Sequence, residues 1–331
     1  MAGFKKAKAE QAALKLGMYG PQGSGKTFTA LLLAEGLAEI CKKRIAYVDT
    51  ERGTDFYVKD VPERQLHPKA FDMDAMYTKQ ITEVLEAVQG LKPEEHCVVI
   101  IDSITHIWNA CMNAYSGALT KAETIPFQAW GKIKKPYKEL MNLLLSSPLH
   151  VIICGRQGNE FDTDTETGEL KRIGVKMKAE GETPYEPHIL IRMESIKNPA
   201  TNKATITAFV EKDRTGVLAL QTIAWPNFDN IVKPILPLLS GTQAVIESDE
   251  ETGAKDAERL ADQDRNKTIV SGNTAKNFKA KIALCNDGNE LAAIGKEMTA
   301  EIKKQMTPED VADVRKAFLD AQAVLGRGDK K

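Results

Sequence analysis

Short apolar runs alternate along the first part of the chain with longer segments in which apolar residues recur at helical spacing. Strand-like runs that alternate with helices predict an α/β fold, in which a mostly parallel sheet carries helices on both faces. The last two runs have no helix between them, so we expect that edge of the sheet to turn antiparallel. The predicted strands are LKLGMYG, RIAYVDT, CVVIIDS, HVIICGR, HILIRME and ATITAFVEK, and the predicted helices are 27–40, about 76–89, 104–115 and 130–145.

The pattern changes after about residue 240. Residues 247–264 are charged and poor in large apolar side chains, which is typical of a solvated linker or an exposed helix. Helical spacing returns from residue 273, and Thr307 followed by Pro308 has the form of a helix start. We therefore predict a core over residues 1–240, a charged linker over 241–272 and a small helical C-terminal region with a flexible tail over 273–331.

Composition limits the classes of partner. The 45 lysines and arginines nearly balance the 46 aspartates and glutamates, so any site for a polyanion must be local. The five cysteines are scattered without CxxC spacing, which argues against a disulfide framework or a zinc site. We find no signal-peptide pattern and no stretch of about eighteen apolar residues, and therefore expect an intracellular protein with no membrane partner.

Residues 20–27, GPQGSGKT, complete the P-loop pattern GxxxxGK[ST] between a predicted strand and a predicted helix. Backbone amides of such a loop converge on phosphate, and the helix N-terminus adds favourable dipole charge. We expect Lys26 to reach the β- and γ-phosphates of ATP and Thr27 to ligate Mg²⁺. The predicted nucleotide-binding residues are Gly20, Pro21, Gln22, Gly23, Ser24, Gly25, Lys26, Thr27 and Phe28.

Two further strands end in carboxylates. The run VVIIDS would bring Asp102 to the sheet edge beside the P-loop, where it can hold Mg²⁺ through water. Hydrolysis also needs a carboxylate that orients or activates water. AAA+ proteins typically have it directly after the magnesium aspartate, but that position is Ser103 here. The run RIAYVDTERG supplies Glu51, which we favour, and Asp49 as the alternative.

The spacing of the P-loop, VDTE and IIDS resembles that of RecA-type ATPases, with their P-loop NTPase core. The resemblance implies that Glu51 activates water and that Arg156 or Gln157, after the strand HVIICGR, senses the γ-phosphate. In FVEKDRTG, Lys212 and Arg214 point to the same side of a strand. The resemblance implies that this pair acts in a neighbouring subunit's ATP site, as an arginine finger does; a solvated pair is the alternative.

FKKAKAEQAALKLGMYGPQGSGKT, TERG, GRQ and EKDRTG are similar to segments of phage-encoded RecA-like ATP-binding proteins, relatives of the phage single-strand annealing and recombination ATPases. This resemblance implies that two loops, about 113–128 and about 157–187, hold single-stranded DNA. The second loop is acidic first and basic later, and it is equally well interpreted as a hairpin that turns at Gly168 and presents KRIGVKMK as a basic strand. Phe161 and Tyr185 are candidates either for stacking on bases or for packing.

The resulting hypothesis is an ATPase that binds single-stranded DNA during phage recombination or replication. It implies ATP and Mg²⁺ as cofactors and a homo-oligomer, either filament or ring. It also suggests a phage single-strand-binding or annealing protein as a partner, in the cytoplasm of a bacterial host. Two alternatives stay open: an ATP-driven ring helicase or loader, and a nucleotide-dependent protein-interaction module without DNA binding.

Overall fold

The computed structural model of the protein describes residues 6, 13–116, 129–163, 168–239 and 249–328. The chain divides into two compact units, Met1–Glu247 and Ser248–Lys331. In the described ranges no helix combines the length and apolar character needed to cross a membrane.

The first unit is built on one nine-stranded sheet. The strand order across the sheet is β3-β2-β4-β5-β1-β7-β8-β9, and β6 pairs with the far part of β5. The strands are β1 Lys15–Gly20, β2 Arg44–Asp49, β3 Met73–Tyr77, β4 His96–Asp102, β5 His150–Thr163, β6 Leu170–Met177, β7 Ile189–Lys197, β8 Ala204–Asp213 and β9 Thr222–Ala224.

The centre of the sheet is parallel, from β3 to β7, and β8 and β9 continue it antiparallel. Every strand predicted from the sequence is present, and the expected antiparallel edge is confirmed. Because the strands of the parallel part run in one direction, β1, β2 and β4 all end at the same edge of the sheet. This is the RecA-like P-loop α/β core that the sequence predicts.

Helices cover both faces of the sheet. Consecutive strand residues face opposite sides, so Ile100 joins one buried cluster and Ile101 the other. A sheet buried on both faces explains why the strands read as continuous apolar runs. The helices of this unit are α1 Lys26–Cys41, α2 Ile81–Gln89, α3 Ile104–Ser116, α4 Trp130–Ser146 and α5 Phe228–Ile231, with 3₁₀ helices at Thr54–Phe56, Thr183–Tyr185 and Lys233–Leu239.

One boundary predicted from the sequence is wrong. Met76 lies in the edge strand β3, whereas the prediction began a helix there, and α2 begins at Ile81. Met76 packs in the same apolar cluster as Ile81, so its spacing matched the helical pattern although its backbone pairs with Val48 of β2. Sequence reasoning also missed β9, which has three residues.

The second unit is helical, as predicted. Its core contains Phe278, Ile282, Leu291 and Val314. Residues 249–272, which the prediction assigned to the charged linker, are helical in this structure, while the three-part division of the chain stays a prediction. The helices are α6 Asp249–Ala283, α7 Gly288–Glu297, α8 Ala300–Gln305 and α9 Pro308–Gly328.

Candidate functional site

The turn between β1 and α1 has the conformation of a phosphate-binding loop. Gly25 precedes the helix with φ 84°, in the left-handed region that favours glycine, and a Cβ there would lie 2.9 Å from Cγ2 of Ile206. No side chain caps the N-terminus of α1, and its first turn holds no acidic residue. The first N–H groups of the helix are therefore suited to an anionic ligand.

Lys26 lies along this loop. Its Nζ donates hydrogen bonds to the carbonyl oxygens of Gly20 (3.1 Å) and Pro21 (2.8 Å). Burial lowers the pKa of Lys26 from its ordinary value, although nearby carboxylates, including Asp102 and Glu51, favour the charged form. The ammonium group thus lies within the loop that the sequence assigns to phosphate.

Asp102 ends β4 and is joined directly to the P-loop helix. Its Oδ2 accepts hydrogen bonds from Oγ1 of Thr27 (2.6 Å) and from the hydroxyl of Tyr47 (2.8 Å). Burial raises the pKa of Asp102, and the two hydroxyl donors oppose that shift. Sequence reasoning predicted Thr27 and Asp102 but missed Tyr47, which reaches Asp102 from the neighbouring strand β2.

The two candidate carboxylates after β2 have different environments. Glu51 Oε1 lies 2.8 Å from Nη2 and 3.3 Å from Nε of Arg156, and 3.6 Å from Nε2 of His106. Asp49 instead accepts hydrogen bonds from the backbone N–H of Glu51 (2.8 Å) and from N–H and Oγ1 of Thr54 (2.9 and 2.6 Å). Asp49 therefore stabilises the turn after β2, whereas the Glu51 carboxylate lies beside the P-loop.

The P-loop, Asp102, Glu51 and Arg156 line one cavity of about 540 Å³. Of the predicted nucleotide-binding residues Ser24 alone is absent from its lining, since its side chain is buried beneath the loop. The amide oxygen Oε1 of Gln157 is buried without a hydrogen-bond partner among the described residues. The lining residues are Gly20, Pro21, Gln22, Gly23, Gly25, Lys26, Thr27, Phe28, Glu51, Tyr57, Asp102, Ser103, Arg156 and Gln157.

An aromatic wall borders the cavity on one side. The ring of Phe28 lies 6.0 Å from Tyr57 and 6.2 Å from Phe71 between centroids, and Tyr57 lies 6.2 Å from Phe71. Sequence reasoning included Phe28 because it follows the P-loop, but it missed Tyr57. No motif marks Tyr57, which comes six residues after Glu51 in a segment without helical or strand spacing.

Lys212 and Arg214 lie away from this cavity. Both side chains donate hydrogen bonds to the carbonyl oxygen of Tyr185, Arg214 at 3.2 Å. The expectation that they point to the same side is confirmed. Burial and then the charge of Arg214 lower the pKa of Lys212. Their action in a neighbouring subunit stays a prediction.

The strand β5 continues past the cavity and forms a hairpin with β6. The pairing runs from Gln157 opposite Met177 to Thr163 opposite Leu170, and Gly168 has φ 71° near the turn. The hairpin interpretation of 157–187 is therefore correct for this part. Asp164 and Glu166 lie outside the described residues, as does 117–128 of the other predicted DNA loop.

The fold and the site together define a class. A mostly parallel sheet carries a P-loop at the edge where its strands end, the P-loop threonine bonds to a strand-terminal aspartate, and a second carboxylate faces the same cavity. This is a P-loop ATPase with a RecA-like core. Residues 12–215 match the family of AAA domains described as AAA_24, so the chain belongs to that family.

No curated protein matches the chain, whereas solved structures do. Among solved structures, the chain is similar to a KaiC-like protein from the hyperthermophilic archaeon Pyrococcus horikoshii OT3, with 16% identity and a TM-score of 0.40. That similarity covers 65% of this chain and 85% of the archaeal one.

Proposed function

We propose that the protein is a Mg²⁺-dependent ATPase that binds single-stranded DNA and acts in phage recombination or replication, in the cytoplasm of a bacterial host. The observation that supports it best is the course of β5. Arg156 and Gln157 of this strand line the P-loop cavity, and the next residues of the same strand form the exposed hairpin with β6. A movement of Arg156 or Gln157 on phosphate binding can therefore be transmitted along β5 to the hairpin.

The residues of the P-loop fit a triphosphate with a magnesium ion. Lys26 would exchange its carbonyl acceptors for phosphate oxygens, and Thr27 and Asp102 offer the hard oxygen ligands that Mg²⁺ prefers. The described residues contain no group of three or more His, Cys, Asp or Glu that could hold a metal ion alone. The ion would thus depend on phosphate oxygens and water, and when bound it neutralises charge that develops on the phosphoryl group.

Glu51 is the group that orients the attacking water in this proposal. Its side chain is 45% exposed at the cavity, and Arg156 binds only its Oε1. Arg156 or Gln157 senses the terminal phosphate, because both line the same cavity and the amide oxygen of Gln157 lacks a protein partner there.

The hairpin carries the groups expected of a single-strand binder. Phe161 is 53% exposed and lies directly opposite Arg172, and Asp162 lies opposite Lys171. An aromatic ring beside a guanidinium group is a surface on which a base can stack, and Arg172 attracts the DNA backbone on that face of the hairpin while Lys171 does so on the other. The acidic residues of β5 in the hairpin reduce its attraction to DNA phosphates. We therefore expect DNA binding to involve only a few phosphate contacts.

We further propose that the active form is a homo-oligomer, a filament or a ring. Lys212 and Arg214 do not line the cavity of their own chain, yet they lie together beside Tyr185, which is 68% exposed. The pair is therefore placed to act on the ATP of another copy and not on that of its own chain. A phage single-strand-binding or annealing protein is the further partner expected from the proposed role.

The first test measures ATP hydrolysis and binding of single-stranded DNA across salt concentrations. Lys171→Gln with Arg172→Gln should weaken DNA binding and reduce the slope of log K against log salt by about 1.4, since each contact with single-stranded phosphate contributes about 0.7. The control is Lys42→Gln with Lys43→Gln, two adjacent cations before β2, at the other end of the strands. Equal slopes for both variants, or ATP turnover that DNA does not change, would contradict the DNA role.

A further inference from the structure

Two side chains lie beside the Glu51 carboxylate: Arg156, which donates hydrogen bonds to it, and a second one that the sequence did not indicate. The second is His106, from the first turn of α3, whose Nε2 lies 3.6 Å from the same Oε1 atom that Arg156 contacts. The other carboxylate oxygen, Oε2, has no hydrogen-bond donor among the residues that the structure describes. The hydrogen bonds from Arg156 thus orient the carboxylate, His106 lies near the same oxygen, and Oε2 is left for a water molecule.

His106 is itself fixed by the ends of two neighbouring strands. Its Nδ1 lies 2.7 Å from Oγ1 of Thr50, and the same Oγ1 accepts a hydrogen bond from the backbone N–H of Ser103 at 2.9 Å. Thr50 also donates its backbone N–H to the carbonyl oxygen of Asp102 at 2.8 Å. The imidazole is therefore tied to the residue before Glu51 and to the residues that end β4.

These contacts select one form of the imidazole. Burial, and then the charge of Arg156, lower the pKa of His106 from its ordinary value, while the charge of Glu51 opposes them; the net shift favours the neutral ring. Thr50 Oγ1 already accepts a hydrogen bond from the backbone N–H of Ser103, and its own O–H can donate to Nδ1. With the Thr50 hydroxyl as donor to Nδ1, the single ring proton is on Nε2, the nitrogen that faces Glu51, and this is the form that our inference uses.

Arg156 has a competing ligand once a triphosphate is bound. Its guanidinium lines the cavity beside Glu51 and is 53% exposed, so a terminal phosphate can draw it away from the carboxylate. Its backbone N–H is held by Oγ1 of Thr105 at 2.9 Å, which keeps the strand in place while the side chain moves. Glu51 would then lose its hydrogen bonds from Arg156 in the triphosphate-bound state, in which it must orient water.

We propose that His106 is a positioning residue for Glu51: its Nε2–H holds Oε1 of the carboxylate when Arg156 turns to the terminal phosphate. A small rotation of Glu51 closes the 3.6 Å separation to a hydrogen bond, as catalytic contacts often tighten only in the reacting complex. This inference rests on the proposed hydrolysis by Glu51, and it goes beyond that function by naming the group that orients the carboxylate.

The test compares three substitutions of His106 in single-turnover ATP hydrolysis, with ATP affinity measured in parallel. His106→Ala should slow hydrolysis about 10- to 100-fold, the loss expected from a misplaced catalytic group, while the affinity for ATP stays close to that of the unaltered protein. In His106→Gln the amide nitrogen can take the place of Nε2, so part of the rate should return. In His106→Asn the amide reaches only the place of Nδ1, and hydrolysis should stay as slow as in His106→Ala.

The matched control is His96→Ala. His96 has 12% of its side chain exposed, against 14% for His106, and it also pairs with a carboxylate, but it begins β4 at the opposite edge of the sheet. We expect an unchanged rate in this variant. Normal hydrolysis in His106→Ala, or recovery in His106→Asn instead of His106→Gln, would overturn the inference. The Glu51→Gln variant tests the proposed role of Glu51 separately. If this variant hydrolyses ATP normally, the role of Glu51 is wrong and the role of His106 falls with it. If this variant is inactive, the role of Glu51 stays and the His106 variants alone decide the role of His106.

Discussion

At the residue scale, the Asp102 carboxylate depends on two hydroxyl groups that come from different parts of the chain. Thr27 belongs to the P-loop motif, whereas Tyr47 belongs to the strand β2 and is almost fully buried. The Tyr47 hydroxyl counteracts the rise in the pKa of Asp102 that burial causes. It therefore stabilises the charged form that Mg²⁺ requires.

We predict that Tyr47→Phe weakens both the fold and the response to Mg²⁺. The free energy of unfolding should fall by about 1.5–3 kcal/mol, the range for a hydrogen bond to a charged group, and more Mg²⁺ should be needed for half-maximal ATP hydrolysis. Denaturant unfolding and a magnesium titration measure the two effects.

The control for that prediction is Tyr137→Phe. Tyr137 is equally buried, but its hydroxyl pairs with Oγ1 of Thr183 at 2.9 Å, a neutral partner away from the phosphate site. It should lose about 0.5–1.5 kcal/mol without any change in the magnesium requirement. An equal shift of that requirement in both variants would show that Tyr47 acts only through packing.

Single residues were predictable from the sequence where a contiguous motif defines them. The P-loop residues and Asp102 lie next to recognisable strands, and Glu51 follows β2 by two residues. Tyr47, Tyr57 and His106 were missed because nothing in their local sequence marks them. Each reaches the site only through the pairing of strands or the packing of a helix, which one sequence does not specify.

At the scale of elements, β5 passes from the buried sheet to the exposed hairpin near Gly155. Position 155 requires glycine because β6 approaches it closely. A Cβ on Gly155 would lie 2.4 Å from Cγ and 2.9 Å from Sδ of Met177. Met177 is buried, so it has little room to move. The packing of these two residues sets the position of the hairpin relative to Arg156.

We predict that Gly155→Ala destabilises the protein by about 1–3 kcal/mol through overpacking and reduces the stimulation of ATP hydrolysis by DNA. Combination with Met177→Ala should recover part of the loss, so that the double variant is more stable than the sum of the single effects. Thermal or denaturant unfolding of the four proteins measures this coupling.

Gly158→Ala on the same strand is the control, since a Cβ there meets nothing closer than Cβ of Lys178 at 3.4 Å. We expect its stability to be equal to or slightly above that of the unaltered protein. If the effects of Gly155→Ala and Met177→Ala simply add, the described contact does not position the hairpin.

Long, regular elements were predictable, and short or edge elements were not. The runs that form β1, β4 and β5 are buried on both faces, so their apolar pattern is unambiguous. The edge strand β3 was interpreted as the start of α2, because Met76 packs with that helix although its backbone joins the sheet. The hairpin could be stated only as one of two alternatives, since its exposed residues leave no periodic pattern.

At the scale of the whole molecule, the proposed oligomer makes a prediction about mixed subunits. A Glu51→Gln protein retains Lys212 and Arg214, while a Lys212→Ala, Arg214→Ala protein retains Glu51. If the pair acts in the neighbouring site, each protein alone should be nearly inactive, and an equal mixture should recover activity. With random assembly, about a quarter of the interfaces combine both intact parts.

The control for the mixing experiment pairs Glu51→Gln with Lys26→Ala. Both of these proteins carry the basic pair, but neither has a competent ATP site, so their mixture should stay inactive. Full activity of the Lys212→Ala, Arg214→Ala protein by itself, at any protein concentration, would remove the role in the neighbouring subunit.

We propose that Lys26, Asp102 and Glu51 act on one triphosphate, and single-turnover ATP hydrolysis by Glu51→Gln and Asp49→Asn shows which carboxylate works with the P-loop. We predict that Glu51→Gln binds Mg²⁺ and ATP while its hydrolysis falls by about 10²- to 10⁴-fold, the contribution of a positioned general base. The Asp49→Asn protein should be less stable, because Asp49 accepts three hydrogen bonds in the turn, yet its folded fraction should hydrolyse ATP. Normal hydrolysis by Glu51→Gln, with loss in the folded Asp49→Asn protein, would show that Asp49 and not Glu51 is the catalytic carboxylate.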